Sequence, residues 1–197
     1  MPKKYELTGE YINFLGRKLF RIKALISFGD VNAGDLGGYI EKEDNLSNDG
    51  DAWVSDNARV YGNARVCGNA LVCNNARVYG NAHVYDDSQV FGNAQVYDVS
   101  QVFGDACVCG NACVCGNARV CGNAQVYVDA DYTTIKGFGT KLRTTTFFRC
   151  KDKRIRVVCG CFYGTINQFR KQVKKTRKGK VAEEYLMIAD LMEHHFK

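Results

Sequence analysis

A six-residue unit repeats fourteen times without a break between Gly50 and Thr133. It reads Gly/Asp–Asn/Asp–Ala–x–Val–Tyr/Cys/Phe, with Ala or Ser at every sixth position from 52 to 130 and Val at every sixth position from 54 to 126. A fixed period of this kind is typical of a solenoid, in which each unit contacts only its neighbours. The repeat constrains the architecture more than any other feature of the chain.

The alternation within Ala-x-Val-Tyr predicts a strand of about four residues with Ala and Val facing the core. The Gly-Asn pair that follows tolerates positive φ and predicts a tight corner. Three units then form a coil of 18 residues, and the 84 residues form about 4.7 coils. Residues 18 apart should stack, so that Asn75, Asn93 and Asn111 form a structural amide ladder.

Written from each Val, the unit places a small residue four positions after an aliphatic one, as in Val60-Tyr-Gly-Asn-Ala64. This resembles the hexapeptide-repeat family, which folds as a left-handed parallel β-helix and includes acyltransferases and γ-class carbonic anhydrases. The segment Gly37–Ser47, with Gly50–Val54, also resembles the entry segment of uncharacterised hexapeptide-repeat proteins of bacteria, phages and prophages, often labelled transferases. The resemblance spans about residues 5–130 and implies a mostly β fold.

We divide the chain into an N-terminal β-hairpin cap at residues 1–38, a β-helix of about five coils at residues 39–134, and a basic α+β unit at residues 135–197. The hairpin turns at Gly16-Arg17. A Gly-rich loop then leads into the first coil, where Ile40 and Leu46 stand in the phase of the Ala positions.

The C-terminal unit is predicted to be a ββαα cap. Strands at residues 144–150 and 154–161 form a hairpin, and a capping box at Thr165 opens a helix to about Lys175. A second helix follows at residues 181–194, with an apolar stripe.

We do not expect the repeat to contain a catalytic site. The acyltransferases of the family use a His, usually with a loop extruded from the coil, and the repeat here contains no such loop. The single His of the repeat, His83, is expected at an outward position between Arg65 and Gln101. We therefore predict no catalytic residue and no cofactor, and a trimeric acyltransferase remains the alternative.

Cysteine spacing raises the question of a metal. Cys107, Cys109, Cys113 and Cys115 have a spacing that suggests zinc on a flexible loop. On a coil each Cys-x-Cys pair would lie on its own face, so we predict no metal site within one subunit, and only an intersubunit site stays open. Ten cysteines without a secretion signal or membrane span favour free thiols in the cytoplasm, which would be that of the host bacterium for a phage protein.

The last position of the unit carries aromatic side chains that should point outward. Stacking at 18 residues predicts three stripes, namely Tyr61–Tyr79–Tyr97, Tyr85–Phe103, and Phe91 beside Tyr127. They could stabilise neighbouring strands or form a surface for a partner or a second subunit. The predicted partner-binding residues are Tyr61, Tyr79, Tyr85, Phe91, Tyr97, Phe103 and Tyr127.

Positive charge is confined to the end of the chain. The net charge is +6, with −4 in residues 50–133 and +11 in residues 134–197. This density favours binding of nucleic acid or another polyanion. The predicted polyanion-binding residues are Arg149, Lys151, Lys153, Arg154, Arg156, Arg170, Lys171, Lys174, Lys175, Arg177 and Lys178. Phe147, Phe148, Phe162 and Tyr163 could stack on bases, although core packing is expected for most of them.

These observations favour a non-enzymatic binding or scaffold protein that acts through a protein or a ribonucleoprotein. Nucleic-acid binding by the C-terminal unit and formation of a homo-oligomer are further expectations, and no membrane contact is expected. The phage resemblance implies a host-interaction role, such as inhibition of a defence complex of the CRISPR–Cas type by docking on it or on its nucleic acid.

Overall fold

A computed structural model of the chain describes residues 3–197. The N-terminal hairpin consists of β1 (Tyr5–Phe14) and β2 (Arg17–Ala24), paired antiparallel. The turn lies at Leu15 and Gly16, both with positive φ, one residue before the predicted position. Strand β3 (Leu36–Ile40) pairs antiparallel with β2 and parallel with the first full coil, so the hairpin extends one side of the solenoid.

Thirteen short parallel strands follow at six-residue intervals within the described chain. They are β4 (Trp53–Val54), β5 (Arg59–Val60), β6 (Arg65–Val66), β7 (Leu71–Val72), β8 (Arg77–Val78), β9 (His83–Val84), β10 (Gln89–Val90), β11 (Gln95–Val96), β12 (Gln101–Val102), β13 (Cys107–Val108), β14 (Cys113–Val114), β15 (Arg119–Val120) and β16 (Gln125–Val126). Each strand has two residues rather than the predicted four, because the corners occupy the other positions of the hexad.

The strands stack into three faces. The first face contains β3, β5, β8, β11 and β14, the second β4, β7, β10, β13 and β16, and the third β6, β9, β12 and β15. From β4 onward, paired residues are 18 apart, as in Val90 with Val108. The protein therefore contains a parallel β-solenoid of about five coils, as predicted.

The inward positions form one continuous core. Ala and Val of the hexads are fully or almost fully buried from Ala52 to Val126. Ser88 and Ser100 replace Ala, and each buried hydroxyl donates to a backbone carbonyl three residues earlier, at 2.7 Å. Ala130 is exposed, because the fourteenth unit leaves the coil as a 3-10 turn at Asp129–Asp131.

The first coil differs from the expected phase. Ile40 pairs with Val60 and Leu46 bridges to Val66, each 20 residues apart. Both residues thus stand in Val positions rather than in the predicted Ala positions. Eight residues instead of six separate Leu46 from Val54, and this two-residue extension shifts the phase.

Corner residues link one coil to the next. Asp56, Asn74 and Asp98 replace Gly at corners with positive φ. Their side chains accept the backbone N–H of the residue 18 positions later, as in Gly116 N to Asp98 Oδ2 at 2.9 Å. The Asn93 amide donates to Asn111 at 3.1 Å, which confirms an amide ladder at this corner.

Side chains satisfy the free edges of the two terminal coils. At the N-terminal end, Lys4 Nζ donates to the carbonyls of Gly50 at 3.1 Å and Ala52 at 2.9 Å. At the other end, N–H groups of the last coil find acceptors, with Cys113 N donating to Asp129 Oδ1 at 2.7 Å. These contacts replace the hydrogen bonds that a further coil would supply.

The C-terminal unit contains an antiparallel sheet in the order β17 (Tyr132–Phe138), β18 (Arg143–Arg149), β19 (Ile155–Cys159) and β20 (Phe162–Thr165). Helices α1 (Ile166–Thr176) and α2 (Gly179–His195) follow. The predicted hairpin and both helices are confirmed, whereas β17 and β20 were not predicted. The expected domain boundaries after residues 38 and 134 fall inside β3 and β17.

The sheet of this unit is covered on both sides. Phe148 and Val158 pack against the end of the solenoid, whereas Phe147 and Val157 pack against the helices. Alternation along β18 and β19 places these neighbouring side chains on opposite sides. Across residues 3–197, no helix is long and apolar enough to span a membrane.

Candidate functional site

The aromatic stripes stack as predicted on two faces. On the first face the ring centroids of Tyr61 and Tyr79 lie 5.0 Å apart, as do those of Tyr79 and Tyr97. On the third face the rings of Tyr85 and Phe103 lie 4.9 Å apart. The ring planes are within 3° of parallel, so these rings stabilise adjacent coils.

Tyr61 is not part of an exposed surface. It packs with Leu19 and Tyr39, and the ring of Phe14 from the hairpin lies 5.8 Å from it. Only 6% of Tyr61 is exposed, so its assignment to a partner-binding surface is wrong for this structure. Tyr79 and Tyr97 remain half-buried on the uncovered part of the face.

The third predicted stripe does not form. Phe91, Cys109 and Tyr127 occupy successive coils of the second face, since β10 pairs with β13 and β13 with β16. Cys109 therefore separates Phe91 from Tyr127, and the two aromatic residues are not adjacent. Tyr127 is 48% exposed at the last coil.

His83 lies where the repeat predicts it. The register pairs it with Arg65 on one side and Gln101 on the other. It lines an open groove of about 390 Å³ together with Arg65 and Cys67. Burial and then Asp86 raise the pKa of the Cys67 thiol, so the groove holds a protonated thiol rather than an activated nucleophile.

The Cys-x-Cys pairs lie on different faces, as predicted. Cys107 belongs to the second face and Cys113 to the first. Burial raises the pKa of Cys109 to about 12, so this thiol is protonated at neutral pH. Within residues 3–197, no group of three or more His, Cys, Asp or Glu side chains could hold a metal ion.

Three of the predicted polyanion-binding residues are engaged inside the protein. Arg149 lies 3.3 Å from Asp131. Arg156 forms a 2.6 Å ion pair with Asp152, and its hydrogen bond lowers the pKa of that carboxyl group. Arg170 contacts Asp190 and Glu193, both at 2.7 Å. These arginines tie elements of the fold together rather than offering free charge.

The other eight predicted cations are exposed, and none has an acidic partner within 4.0 Å in the described part of the chain. They are Lys151, Lys153, Arg154, Lys171, Lys174, Lys175, Arg177 and Lys178. The first three form the turn between β18 and β19, and the others lie on α1 or just after it.

Helix periodicity places the α1 lysines away from the core. Phe169 and Val173 are buried against the sheet and α2, whereas Lys171, Lys174 and Lys175 are exposed. Residues three and four apart share one side of a helix. The three ammonium groups therefore form one solvent-facing row.

A groove joins the turn to this helix. Arg154 lines it with Thr165 at the end of β20, Asn167 at the start of α1 and Glu193 of α2, and its volume is about 350 Å³. The cations of the turn and the lysine row thus lie at the start and along the length of the same helix. An 11-residue helix is about 16 Å long, which sets the scale of this basic surface.

The aromatic residues of this unit are mostly unavailable. Phe147 and Phe148 are fully buried and Phe162 is half-buried, whereas Tyr163 is 47% exposed. Tyr163 is therefore the one exposed residue of these four, and Phe138 at the end of β17 is also exposed, at 36%. Separately, Arg143, Arg177 and Tyr185 line a small pocket that no sequence motif indicated.

Comparison with known protein families supports the β-solenoid. The family model described as the YdcK beta solenoid repeat matches residues 52–68, 70–86 and 76–92. All three matches lie within the stacked strands of the solenoid. The curated proteins include no match to the chain. The stacked coils and the repeat match together show that the chain is a repeat β-helix protein.

Proposed function

We propose that this chain is a non-enzymatic binding protein whose solenoid holds a polyanion-binding unit at one end. The observation that carries the proposal is the set of eight exposed cations without acidic partners on the C-terminal unit. The favoured ligand is a nucleic-acid backbone, free or within a ribonucleoprotein.

Charge distribution supports a directed contact. The repeat region has net charge −4, and its acidic corners would be repelled by phosphate. The C-terminal third has net charge +11 and would attract it. A polyanion would therefore meet the protein at the C-terminal unit, with the solenoid projecting away from it.

The aromatic burial indicates how such binding would operate. Tyr163 and Phe138 are the exposed aromatic side chains of the C-terminal unit. With so few of them, recognition would depend on phosphate contacts more than on stacked bases. Affinity should then depend weakly on nucleic-acid sequence and fall steeply with salt. In a plot of the logarithm of the binding constant against the logarithm of the salt concentration, each neutralised phosphate of a duplex contributes a slope of about −0.9.

A triple substitution tests the proposal. We expect Lys171→Gln, Lys174→Gln and Lys175→Gln together to weaken binding of a labelled duplex and to reduce the salt slope by about 3. Fluorescence anisotropy between low and moderate salt measures both quantities. The matched control removes three lysines near the N-terminus, Lys18, Lys23 and Lys42, with the same change in net charge.

The outcomes separate local from general electrostatics. Loss of affinity in the α1 variant but not in the control supports the proposed surface. Equal loss in both variants, or no binding by the native protein at low salt, contradicts it. A pull-down from host lysate with and without nuclease then distinguishes a nucleic-acid ligand from an acidic protein.

The stacked tyrosines favour a second candidate, a protein-binding face. Tyr79 and Tyr97 form a rigid aromatic pair beyond the edge of the hairpin. If this pair mediates association of two copies, light scattering should give more than 22.0 kDa. Tyr79→Ser with Tyr97→Ser should then restore the monomer mass, whereas a monomeric native protein contradicts self-association.

Acyl transfer is the enzymatic alternative. The hexads from β4 to β16 follow one another without an extruded loop, and His83 has Arg65 and Gln101 as its strand neighbours. We therefore expect no heat when acetyl-coenzyme A is titrated into the protein. Saturable binding of that ligand would favour the transferase over our proposal.

A further inference from the structure

A small pocket lies in the C-terminal unit at the opposite end of β19 from the Lys151–Arg154 turn. Its volume is about 100 Å³. It is formed by the start of β18, the turn between β19 and β20, the end of α1 and one residue of α2. The lining residues with polar side chains include Arg143, Cys161, Gln172, Thr176, Arg177 and Tyr185.

Two guanidinium groups converge on this pocket. Arg143 and Arg177 both line it together with Tyr185. Their positive charges oppose the rise in the pKa of Tyr185 that burial causes. Neither arginine has a carboxylate within 4.0 Å in residues 3–197. None of the lining side chains described is acidic.

Gly160 makes room for one of these groups. Its φ is +63°, and a β-carbon at this position would overlap Arg143 Nη1. A glycine in this turn thus lets the guanidinium group lie directly against the backbone.

The rest of the lining defines what could fit. The floor is apolar, with Phe162, Phe169 and Val173. The volume corresponds to about three water molecules, which is enough for one tetrahedral anion. The last carbonyls of α1 lie beside the pocket and offset part of the positive charge, so one arginine alone would not suffice.

We propose that this pocket binds a single phosphate group, either as inorganic phosphate or as the terminal phosphate of a larger molecule. Two guanidinium forks supply paired N–H donors that match tetrahedral oxyanions. The Gln172 side-chain amide is a further donor at the rim. The site is separate from the lysine row on α1 and does not require that row to bind nucleic acid.

Calorimetric titration of the full chain with inorganic phosphate at low ionic strength tests the site. We expect saturable 1:1 binding that weakens at least tenfold in Arg143→Gln. Lys141→Gln is the matched control. It removes the same charge two residues before Arg143, and the Lys141 side chain does not line the pocket. No saturable binding at millimolar phosphate, or equal weakening in the control, would overturn the proposal.

A second readout does not depend on the arginine variant. Cys161 is exposed and lines the pocket, so phosphate should slow its alkylation, as followed by peptide mass spectrometry. Gly160→Ala should reduce this protection, because a β-carbon there would displace Arg143 Nη1. Alkylation that is insensitive to phosphate in the native protein counts against the site.

Oligonucleotides distinguish the two sources of phosphate. If the ligand is a nucleic-acid end, a 5′-phosphorylated strand should bind more tightly than the 5′-hydroxyl strand, and Arg143→Gln should remove the difference. If free phosphate or a small ester is the ligand, only the inorganic titration should respond to Arg143→Gln. Binding of phosphate should survive in the triple α1 lysine variant, so this site and the polyanion surface can fail independently.

Discussion

The solenoid and the C-terminal unit bury their cores in different ways. The solenoid uses small side chains, Ala and Val, each brought into place by the coil before it. The C-terminal unit uses large side chains such as Phe147, Phe169 and Tyr185, brought together from a sheet and two helices. Repetition thus produces a long uniform core, whereas the non-repeating unit produces a compact core with pockets and clustered charge.

The largest expected effect is a charge in the repeating core. Val90→Asp should destabilise the protein by more than about 4 kcal/mol, since a carboxylate would lack a partner between stacked coils. Gln89→Asp, one position away on the exposed side, is the control and should change stability little. Urea unfolding followed by circular dichroism measures both, and similar midpoints would contradict the assigned inward and outward positions.

Two adjacent phenylalanines of β18 test how the C-terminal sheet packs against the helices and against the solenoid. Phe147→Ala and Phe148→Ala should each cost about 3–5 kcal/mol, but on different sides of the sheet. Phe147→Ala should release the helices, whereas Phe148→Ala should loosen the contact between the sheet and the solenoid. Hydrogen exchange should therefore rise first in α1 and α2 for one variant and in the last coil for the other. Identical exchange patterns would be evidence against a sheet packed on both sides.

The buried Lys4 predicts a smaller, pH-dependent effect at the N-terminal end. Burial lowers its pKa from 10.5 to about 8 despite Asp51 and Asp49. Between pH 8 and pH 10.5 the unfolded chain therefore binds more protons at Lys4 than the folded chain does. The free energy of unfolding should rise as the pH rises from about 8 to 10.5 and fall as the pH is lowered over the same range. Thermal unfolding at two pH values should show a larger increase for the native protein than for Lys4→Met. Equal increases would refute this contribution.

Thiol reactivity should distinguish the buried junction of the two regions from the exposed turn between β19 and β20. Burial raises the pKa of Cys121 to about 11 and of Cys150 to about 12. Both lie where the sheet meets the solenoid, and both should react slowly with a disulfide reagent at pH 8. Exposed Cys161 should react first, and Cys161→Ser should remove the fast phase. Fast labelling of Cys121 or Cys150 would contradict the burial described.

The sequence predicted what periodicity encodes. Inward Ala and Val, the three faces, the separation of the Cys pairs and the neighbours of His83 all follow from counting in sixes and eighteens. The phase of Ile40 and Leu46 was predicted wrongly, because two additional residues enter the first coil ahead of the regular units.

Contacts between segments that are far apart in the sequence could not be predicted from the repeat period. Tyr61 has the same sequence signature as Tyr79, yet the hairpin covers only Tyr61. Arg170 looks like its lysine neighbours, yet Asp190 and Glu193 of α2 engage it. Both differences arise from how segments dock in space, which no local pattern contains.

The hydrogen bonds of Lys4 bear on how the protein avoids aggregation. An unpaired edge of a parallel sheet can recruit strands from other molecules. Lys4 and Tyr5 occupy carbonyls that an incoming strand would need, and Thr146 occupies the N–H of Arg119 at the other end. These contacts thereby oppose edge-to-edge association of solenoids. A shortened form without these residues would expose an unpaired sheet edge at which fibres would nucleate.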